Sequence, residues 1–269
     1  MTSYGKRLAA ITASRGRLCV GIDPHRSVIE AWGHEYGVAG LEAVARGMVD
    51  ALGDVVAVFK PQSAFFEAHG SAGVAVLERT IAAAQAAGAL VIVDAKRGDI
   101  GSTMAAYAEA YLADGSPLAG DALTVSPYLG FGSLQPAFDL AHSTGRGLYV
   151  LARTSNPEGG DVQAAVRADG RSVVQGMVDA ATEVNAATGQ GAVGLVVGAT
   201  HEDAGCDLNS FNGSILAPGI GAQGGTIEGL QAIFGAAVDR VLPSVSREVL
   251  LRGPEPEALR AAVSRLLLA

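Results

Sequence analysis

Eight short apolar segments recur along the 269-residue chain, and alanine-rich segments with helical spacing, such as residues 74–87 and 103–112, separate them. Apolar strands that alternate with helices are typical of a parallel sheet with helices on its faces. Eight such units predict an α/β fold, the (β/α)8 or TIM barrel, with residues 1–269 forming a single domain. The predicted strands are residues 18–23, 55–60, 90–96, 122–126, 148–154, 193–199, 214–220 and 240–246.

The main alternative is a doubly wound open sheet, because Gly219, Gly221 and Gly224 spell G-x-G-x-x-G after a predicted strand. In dinucleotide-binding folds this motif follows the first strand, and an acidic residue follows the next one. Here only one predicted strand follows the glycines, and it ends in Ser246 and Arg247. The closed barrel is therefore favoured, with the residues before the first strand forming a helix that closes the barrel floor.

The composition excludes several functional classes. A formal net charge of -8 argues against a general nucleic-acid binder, which needs clustered cations to neutralise phosphates. No apolar run approaches the length of a membrane span, so we expect a soluble cytoplasmic protein. Cys19 and Cys206 lack metal-ligand spacing and the five histidines are scattered, so we expect neither a disulfide nor a zinc site.

Polar residues end most of the predicted strands, where the chemistry of such barrels collects. Asp94 and Lys96 lie two residues apart on one strand, so both point to the barrel interior. With Lys60 on the adjacent strand they predict an alternating Lys-Asp-Lys row, which Asp99 could extend. An isolated Asp-x-Lys pair is about as often a structural salt bridge, and Asp99 by itself would more often cap a helix. The polar strand ends are Asp23, Lys60, Asp94, Lys96, Thr154, Ser155, Gln223 and Arg247.

Lysine is scarce in this chain. Only Lys6, Lys60 and Lys96 occur among the 19 lysine and arginine residues. Arginine stays protonated at any relevant pH, whereas an ammonium group can give up a proton and act as a general acid. The scarcity therefore favours a chemical role for Lys60 and Lys96 over a solvated surface role.

The glycine-rich segment 217–226 follows the seventh strand and resembles an anion cradle. Glycines let backbone N–H groups approach an anion, Thr226 is placed to cap a following helix, and Arg247 on the neighbouring strand offers a bidentate contact. A plain flexible turn explains a glycine-rich loop about as well. The position between strands seven and eight, the usual phosphate site of such barrels, favours phosphate binding.

Residues 91–103 read Val-Ile-Val-Asp-Ala-Lys-Arg-Gly-Asp-Ile-Gly-Ser-Thr and resemble the signature of orotidine 5′-phosphate decarboxylases, Asp-x-Lys-x-x-Asp-Ile-x-x-Thr after an apolar strand. Residues 21–25, 59–67 and 218–225 resemble the longer bacterial, mycobacterial-like branch of that family. The resemblance implies a cofactor-free carboxy-lyase that converts orotidine 5′-phosphate to uridine 5′-monophosphate in de novo pyrimidine biosynthesis. It also implies a homodimer with no metal.

The resemblance further implies a role for each matched residue. Lys96 would donate the proton, Asp94 would lie against the substrate carboxylate, and Asp23 and Lys60 would hold the ribose hydroxyls. The partner subunit's site would be completed by Asp99, Ile100 and Thr103.

The remaining matched residues would bind the two ends of the nucleotide. Ser155 and Gln223 would read the pyrimidine edge, and Pro218 would pack on the ring. Gln223 with Arg247 would hold the phosphate, beside Gly224 in the same loop.

Two other functions use a similar barrel. Magnesium-dependent decarboxylases and epimerases of sugar phosphates share the Asp-x-Lys-x-x-Asp pattern, but the resemblance places a carboxylate where this chain has Lys60. A phosphate-ligand sensor without catalysis would keep the barrel and lose part of the charge row, and fold alone does not exclude it. The complete set Lys60, Asp94, Lys96 and Asp99 favours the enzyme.

Overall fold

The computed structural model describes residues 2–268 and contains all eight predicted strands. They pair in parallel and in chain order, and β1 closes the barrel against β8. The prediction of a TIM barrel is therefore confirmed. The strands are β1 (Cys19–Ile22), β2 (Val58–Pro61), β3 (Leu90–Arg97), β4 (Ala122–Val125), β5 (Gly147–Arg153), β6 (Val193–Val197), β7 (Ile215–Pro218) and β8 (Val241–Val245).

Helices surround this barrel, and the larger cluster of buried apolar side chains lies between them and the strands. The helices predicted over residues 74–87 and 103–112 are present as α5 (Gly70–Ala86) and α6 (Gly101–Leu112). None of the helices described within residues 2–268 is long and apolar enough to cross a membrane. The helices are α1 (Tyr4–Arg15), α2 (Arg26–Ala31), α3 (Val38–Leu52), α4 (Ser63–Glu67), α5 (Gly70–Ala86), α6 (Gly101–Leu112), α7 (Gln135–Thr144), α8 (Gly160–Gln163), α9 (Val173–Thr188), α10 (Leu230–Phe234), α11 (Arg247–Leu250) and α12 (Pro256–Leu268).

Three local features differ from the sequence prediction. β2 begins at Val58 rather than Val55, because the N–H groups of Val55 and Val56 both donate to Leu52 O and continue the last turn of α3. Residues 198–214 between β6 and β7 contain no helix. Thr226 does not cap a helix: its hydroxyl accepts from the N–H of Gly229 at 3.0 Å and closes a turn before α10.

The predicted floor helix is α1. Its buried Tyr4 and Leu8 pack on side chains inside the barrel and form a second, smaller apolar cluster. The Tyr4 hydroxyl lies 3.0 Å from the Tyr149 hydroxyl on β5. The Tyr149 hydroxyl in turn lies 2.7 Å from Ser214 Oγ. These three hydroxyls therefore satisfy one another where α1 closes the amino end of the barrel.

Candidate active site

A cavity of about 700 Å³ lies at the carboxyl ends of the strands. β1, β2 and β3 supply charged residues to it, and the segments after β7 and β8 supply the opposite wall. Chain elements far apart in sequence thus meet at one site, as the barrel prediction required. The predicted site residues that line this cavity are Asp23, Lys60, Asp94, Lys96, Pro218, Gln223 and Arg247.

The predicted charge row of Lys60, Asp94 and Lys96 is present. Lys60 Nζ donates to Asp94 Oδ2 at 2.8 Å, and Lys96 Nζ donates to Asp94 Oδ1 at 2.6 Å. The Lys60 side chain is 8% exposed and that of Lys96 is 45% exposed. Lys60 is therefore a fixed buried cation, whereas Lys96 is open to a bound molecule.

The protonation states within the row follow from its geometry. Burial opposes ionisation of Asp94, but the charges of Lys60 and Lys96 outweigh it and hold the pKa of the carboxyl well below its usual range. Burial also disfavours the Lys60 ammonium, but the charges of Asp94 and Asp23 raise its pKa above the usual range. Asp94 and Lys60 therefore both stay charged throughout the neutral pH range.

The β3 backbone is irregular where it carries the row. The β3–β4 register shifts between Val93 and Arg97, and Lys96 has φ 47°, a left-handed conformation that is rare for residues with a side chain. Bulges beside active sites commonly re-aim a side chain. Here the irregular backbone lies at Lys96, whose ammonium group donates to Asp94.

Two polar atoms near β1 are buried without a hydrogen-bond partner among the described residues. They are Asp23 Oδ1 and Ser246 Oγ, and both residues line the cavity. Buried polar atoms are normally satisfied, so an acceptor and a hydroxyl left free at a cavity wall suit a ligand that carries hydroxyl groups.

Backbone hydrogen bonds connect the two ends of the loop after β7, residues 219–225. Gly225 N donates to Gly219 O at 3.0 Å, and Gly221 N donates to Gly225 O at 2.8 Å. Gly219 has φ 104°, and a Cβ there would lie 2.6 Å from Thr200 Cγ2. Gln223 of this loop and Arg247, the first residue of α11, both border the cavity.

Five predicted site residues do not line the cavity of this chain. Asp99 does not extend the charge row, and its Oδ1 accepts from the N–H of Ile100 at 2.8 Å. It is not the cap of α6, because Ile100 holds that position. Ser155 lies behind the β7 loop, where Thr200 Oγ1 donates to its carbonyl at 2.9 Å. The five are Asp99, Ile100, Thr103, Ser155 and Gly224.

Two residues that contact the charge row were missed from the sequence. Gln62 Nε2 donates to Asp94 Oδ2 at 2.9 Å, and Thr124 Oγ1 donates to Asp94 Oδ1, also at 2.9 Å. Both carried a signal: Gln62 lies two residues after Lys60, and Thr124 is the polar residue near the end of the fourth strand. The carboxylate of Asp94 thus receives four donors.

A closed (β/α)8 barrel with a charged cavity at the carboxyl ends of its strands defines a TIM-barrel enzyme. The model of the orotidine 5′-phosphate decarboxylase / HUMPS family matches residues 16–262. The chain belongs to this family.

Individual relatives match along nearly the whole chain. Orotidine 5′-phosphate decarboxylase of Streptomyces coelicolor is 58% identical over 266 residues, 98% of this chain and 96% of the relative. That of Salinispora arenicola is 57% identical over 268 residues, 99% of this chain and 96% of the relative.

Solved structures agree with this assignment. A Streptomyces avermitilis chain has a TM-score of 0.96 at 59% identity and covers 100% of this chain and 94% of its own. Leishmania donovani OMP decarboxylase has a TM-score of 0.78 at 30% identity, and the match covers 100% of both chains.

Proposed function

We propose that this chain decarboxylates orotidine 5′-phosphate to uridine 5′-monophosphate in pyrimidine biosynthesis, with Lys96 as the proton donor. The observation that carries the proposal is the Lys60-Asp94-Lys96 row at the cavity wall, in a chain of the decarboxylase family.

The reaction requires a fixed cation beside the reacting carbon. Loss of CO2 leaves an electron pair on a ring carbon, in an orbital perpendicular to the π system, so the ring does not delocalise it. The Lys96 ammonium stabilises this charge as it develops and then transfers its proton to the same carbon. Its 45% exposure and its contact with Asp94 support this role.

Asp94 supplies a second electrostatic effect. Its low pKa keeps it ionised, so a substrate carboxylate placed against it is repelled until CO2 leaves. Lys60 donates to the other oxygen of Asp94 and offsets part of the cost of burying this carboxylate.

The rest of the cavity suits the remainder of the nucleotide. We assign the ribose hydroxyls to Asp23 and Lys60, because the free Asp23 Oδ1 needs a donor. The β7 loop and Arg247 would hold the phosphate at the opposite wall, with Pro218 against the pyrimidine ring. Gln223 would contact both the pyrimidine edge and the phosphate of the nucleotide.

We also propose a cytoplasmic homodimer in which each chain completes its neighbour's site. Asp99, Ile100 and Thr103 do not line their own chain's cavity, and Ile100 is 62% exposed. An apolar side chain exposed beside the charge row suits a contact with a second copy of the chain. Ser155 and Gly224 would reach the nucleotide only after the β7 loop closes over it.

A single assay tests the function against its alternatives. Protein as purified is mixed with orotidine 5′-phosphate, and the orotate absorbance is followed with and without EDTA. We expect the absorbance to fall at the same rate in both. Complete loss of turnover with EDTA would instead show a divalent-metal requirement, as in the magnesium-dependent enzymes, and binding without turnover would identify a phosphate-ligand sensor.

A further inference from the structure

One residue of β4 stands opposite three residues of β3. The ladder pairs Val93 of β3 with Leu123 and next pairs Arg97 with Val125, so residues 94–96 have only Thr124 opposite them. The regular backbone ladder is therefore interrupted where Asp94 and Lys96 are held.

The hydroxyl of Thr124 takes the place of the missing ladder bonds. It accepts a hydrogen bond from the Lys96 N–H at 3.0 Å and donates to Asp94 Oδ1 at 2.9 Å. A backbone N–H only donates and an ionised carboxylate only accepts, so both directions are fixed. Thr124 thus links the Lys96 backbone to the same oxygen that the Lys96 ammonium contacts.

We propose that Thr124 is a positioning residue for the decarboxylation. Its hydroxyl holds Lys96 in the left-handed conformation that directs the ammonium into the cavity, and it fixes the orientation of Asp94. The side chain is 1% exposed and lies outside the cavity lining, so Thr124 acts through Lys96 and Asp94. This inference rests on the proposed function, in which Lys96 delivers the proton.

The variants that test this differ in a single group. Thr124→Val keeps the shape of the side chain and removes the hydroxyl, whereas Thr124→Ser keeps the hydroxyl. Because misplacing a reacting group by about 1 Å costs about 100-fold in rate, we expect Thr124→Val to lower kcat by about that factor. KM and the affinity for uridine 5′-monophosphate should stay near wild type, and Thr124→Ser should restore most of kcat.

Thr80 on α5 provides a matched control. It is also 1% exposed, and its hydroxyl donates to Val76 O at 2.8 Å, away from the cavity. Thr80→Val should lower the melting temperature about as much as Thr124→Val while kcat stays unchanged. If Thr124→Val does not fold, Thr124→Ala is measured against the same criteria.

The outcomes separate this inference from the proposed function. A wild-type protein that leaves orotidine 5′-phosphate intact contradicts the proposed function. An active wild type with an unchanged kcat in folded Thr124→Val or Thr124→Ala overturns the positioning role alone. Equal losses in kcat and in nucleotide affinity, or a kcat as low in Thr124→Ser as in Thr124→Val, would also overturn it, because they would show general damage to the site.

Discussion

Four side chains donate hydrogen bonds to the Asp94 carboxylate. Lys60 and Gln62 donate to one oxygen, and Lys96 and Thr124 donate to the other. A carboxylate that is bonded at both oxygens does not rotate toward an approaching molecule. The position of this negative charge in the cavity is therefore set before a ligand binds.

At this scale the first prediction concerns Lys96. We expect both Lys96→Ala and Lys96→Arg to lose decarboxylation by roughly 1,000-fold or more, because arginine keeps the charge but does not release its proton. Both variants should fold and bind uridine 5′-monophosphate. Lys6→Ala, at an exposed lysine of α1, is the control and should match wild type. Substantial turnover by Lys96→Arg would remove Lys96 as the proton donor.

A second residue-scale prediction concerns the pH dependence of stability. The pKa of Asp94 is lowered from 3.8 in the folded chain, so its ionised form stabilises the fold fully above that value. The contribution is lost as pH falls through the lower folded pKa. Asp94→Asn leaves Lys60 buried and unpaired, so we expect it to cost about 3 to 5 kcal/mol near neutral pH.

Denaturant unfolding at several pH values checks this prediction. The free-energy difference between wild type and Asp94→Asn should be constant between about pH 5 and pH 8 and should narrow below about pH 4. A difference that widens in acid would mean that Asp94 is not ionised in the folded protein.

At the scale of elements, apolar segments predicted all eight strands because a buried parallel strand leaves a short continuous apolar run between segments of helical spacing. The same signal placed the start of β2 too early, since Val55 and Val56 belong to the turn that follows α3, where both N–H groups donate to Leu52 O. The row of Lys60, Asp94 and Lys96 followed from side-chain alternation. Thr124 did not, because its role depends on an irregular register that alternation does not reveal.

The prediction at this scale concerns α11 and the β7 loop. Arg247 lies at the wall opposite the charge row, but binding energy from a remote phosphate can close the loop and organise the reacting groups. We expect Arg247→Ala to lower kcat/KM for orotidine 5′-phosphate by roughly 2 to 5 kcal/mol. Activity on orotidine, which has no phosphate, should barely change.

Two comparisons sharpen this test. Arg252→Ala, at an exposed arginine just beyond α11, should leave both substrates unaffected. Free phosphite should partly activate wild type on orotidine and fail to activate Arg247→Ala. Equal losses on orotidine and on its 5′-phosphate would mean that Arg247 is not the phosphate ligand, and Gln223→Ala would then be compared in a double-mutant cycle.

At the scale of the whole molecule, the proposed homodimer depends on Asp99, Ile100 and Thr103, which do not line their own chain's cavity. If Asp99 serves the neighbouring site, Lys96→Ala and Asp99→Ala subunits are each inactive alone but complement one another when mixed. We expect activity to return, because some heterodimers contain one site with both residues intact. The measurement is turnover after confirmed subunit exchange, with Lys96→Ala mixed with itself as the control. Absence of recovery would place Asp99 in its own chain's site.

The floor formed by α1 has a consequence for exchange with solvent. With Tyr4 and Tyr149 filling the amino end of the barrel, substrate, CO2 and product nucleotide all pass the opening bordered by the β7 loop. In the proposed mechanism, the proton that replaces the one given up by Lys96 enters from the same side. If the β7 loop closes over the bound nucleotide, CO2, which is small and uncharged, leaves before the nucleotide does. We then expect release of the nucleotide to limit the rate of repeated turnovers, so the rate should fall as solvent viscosity rises.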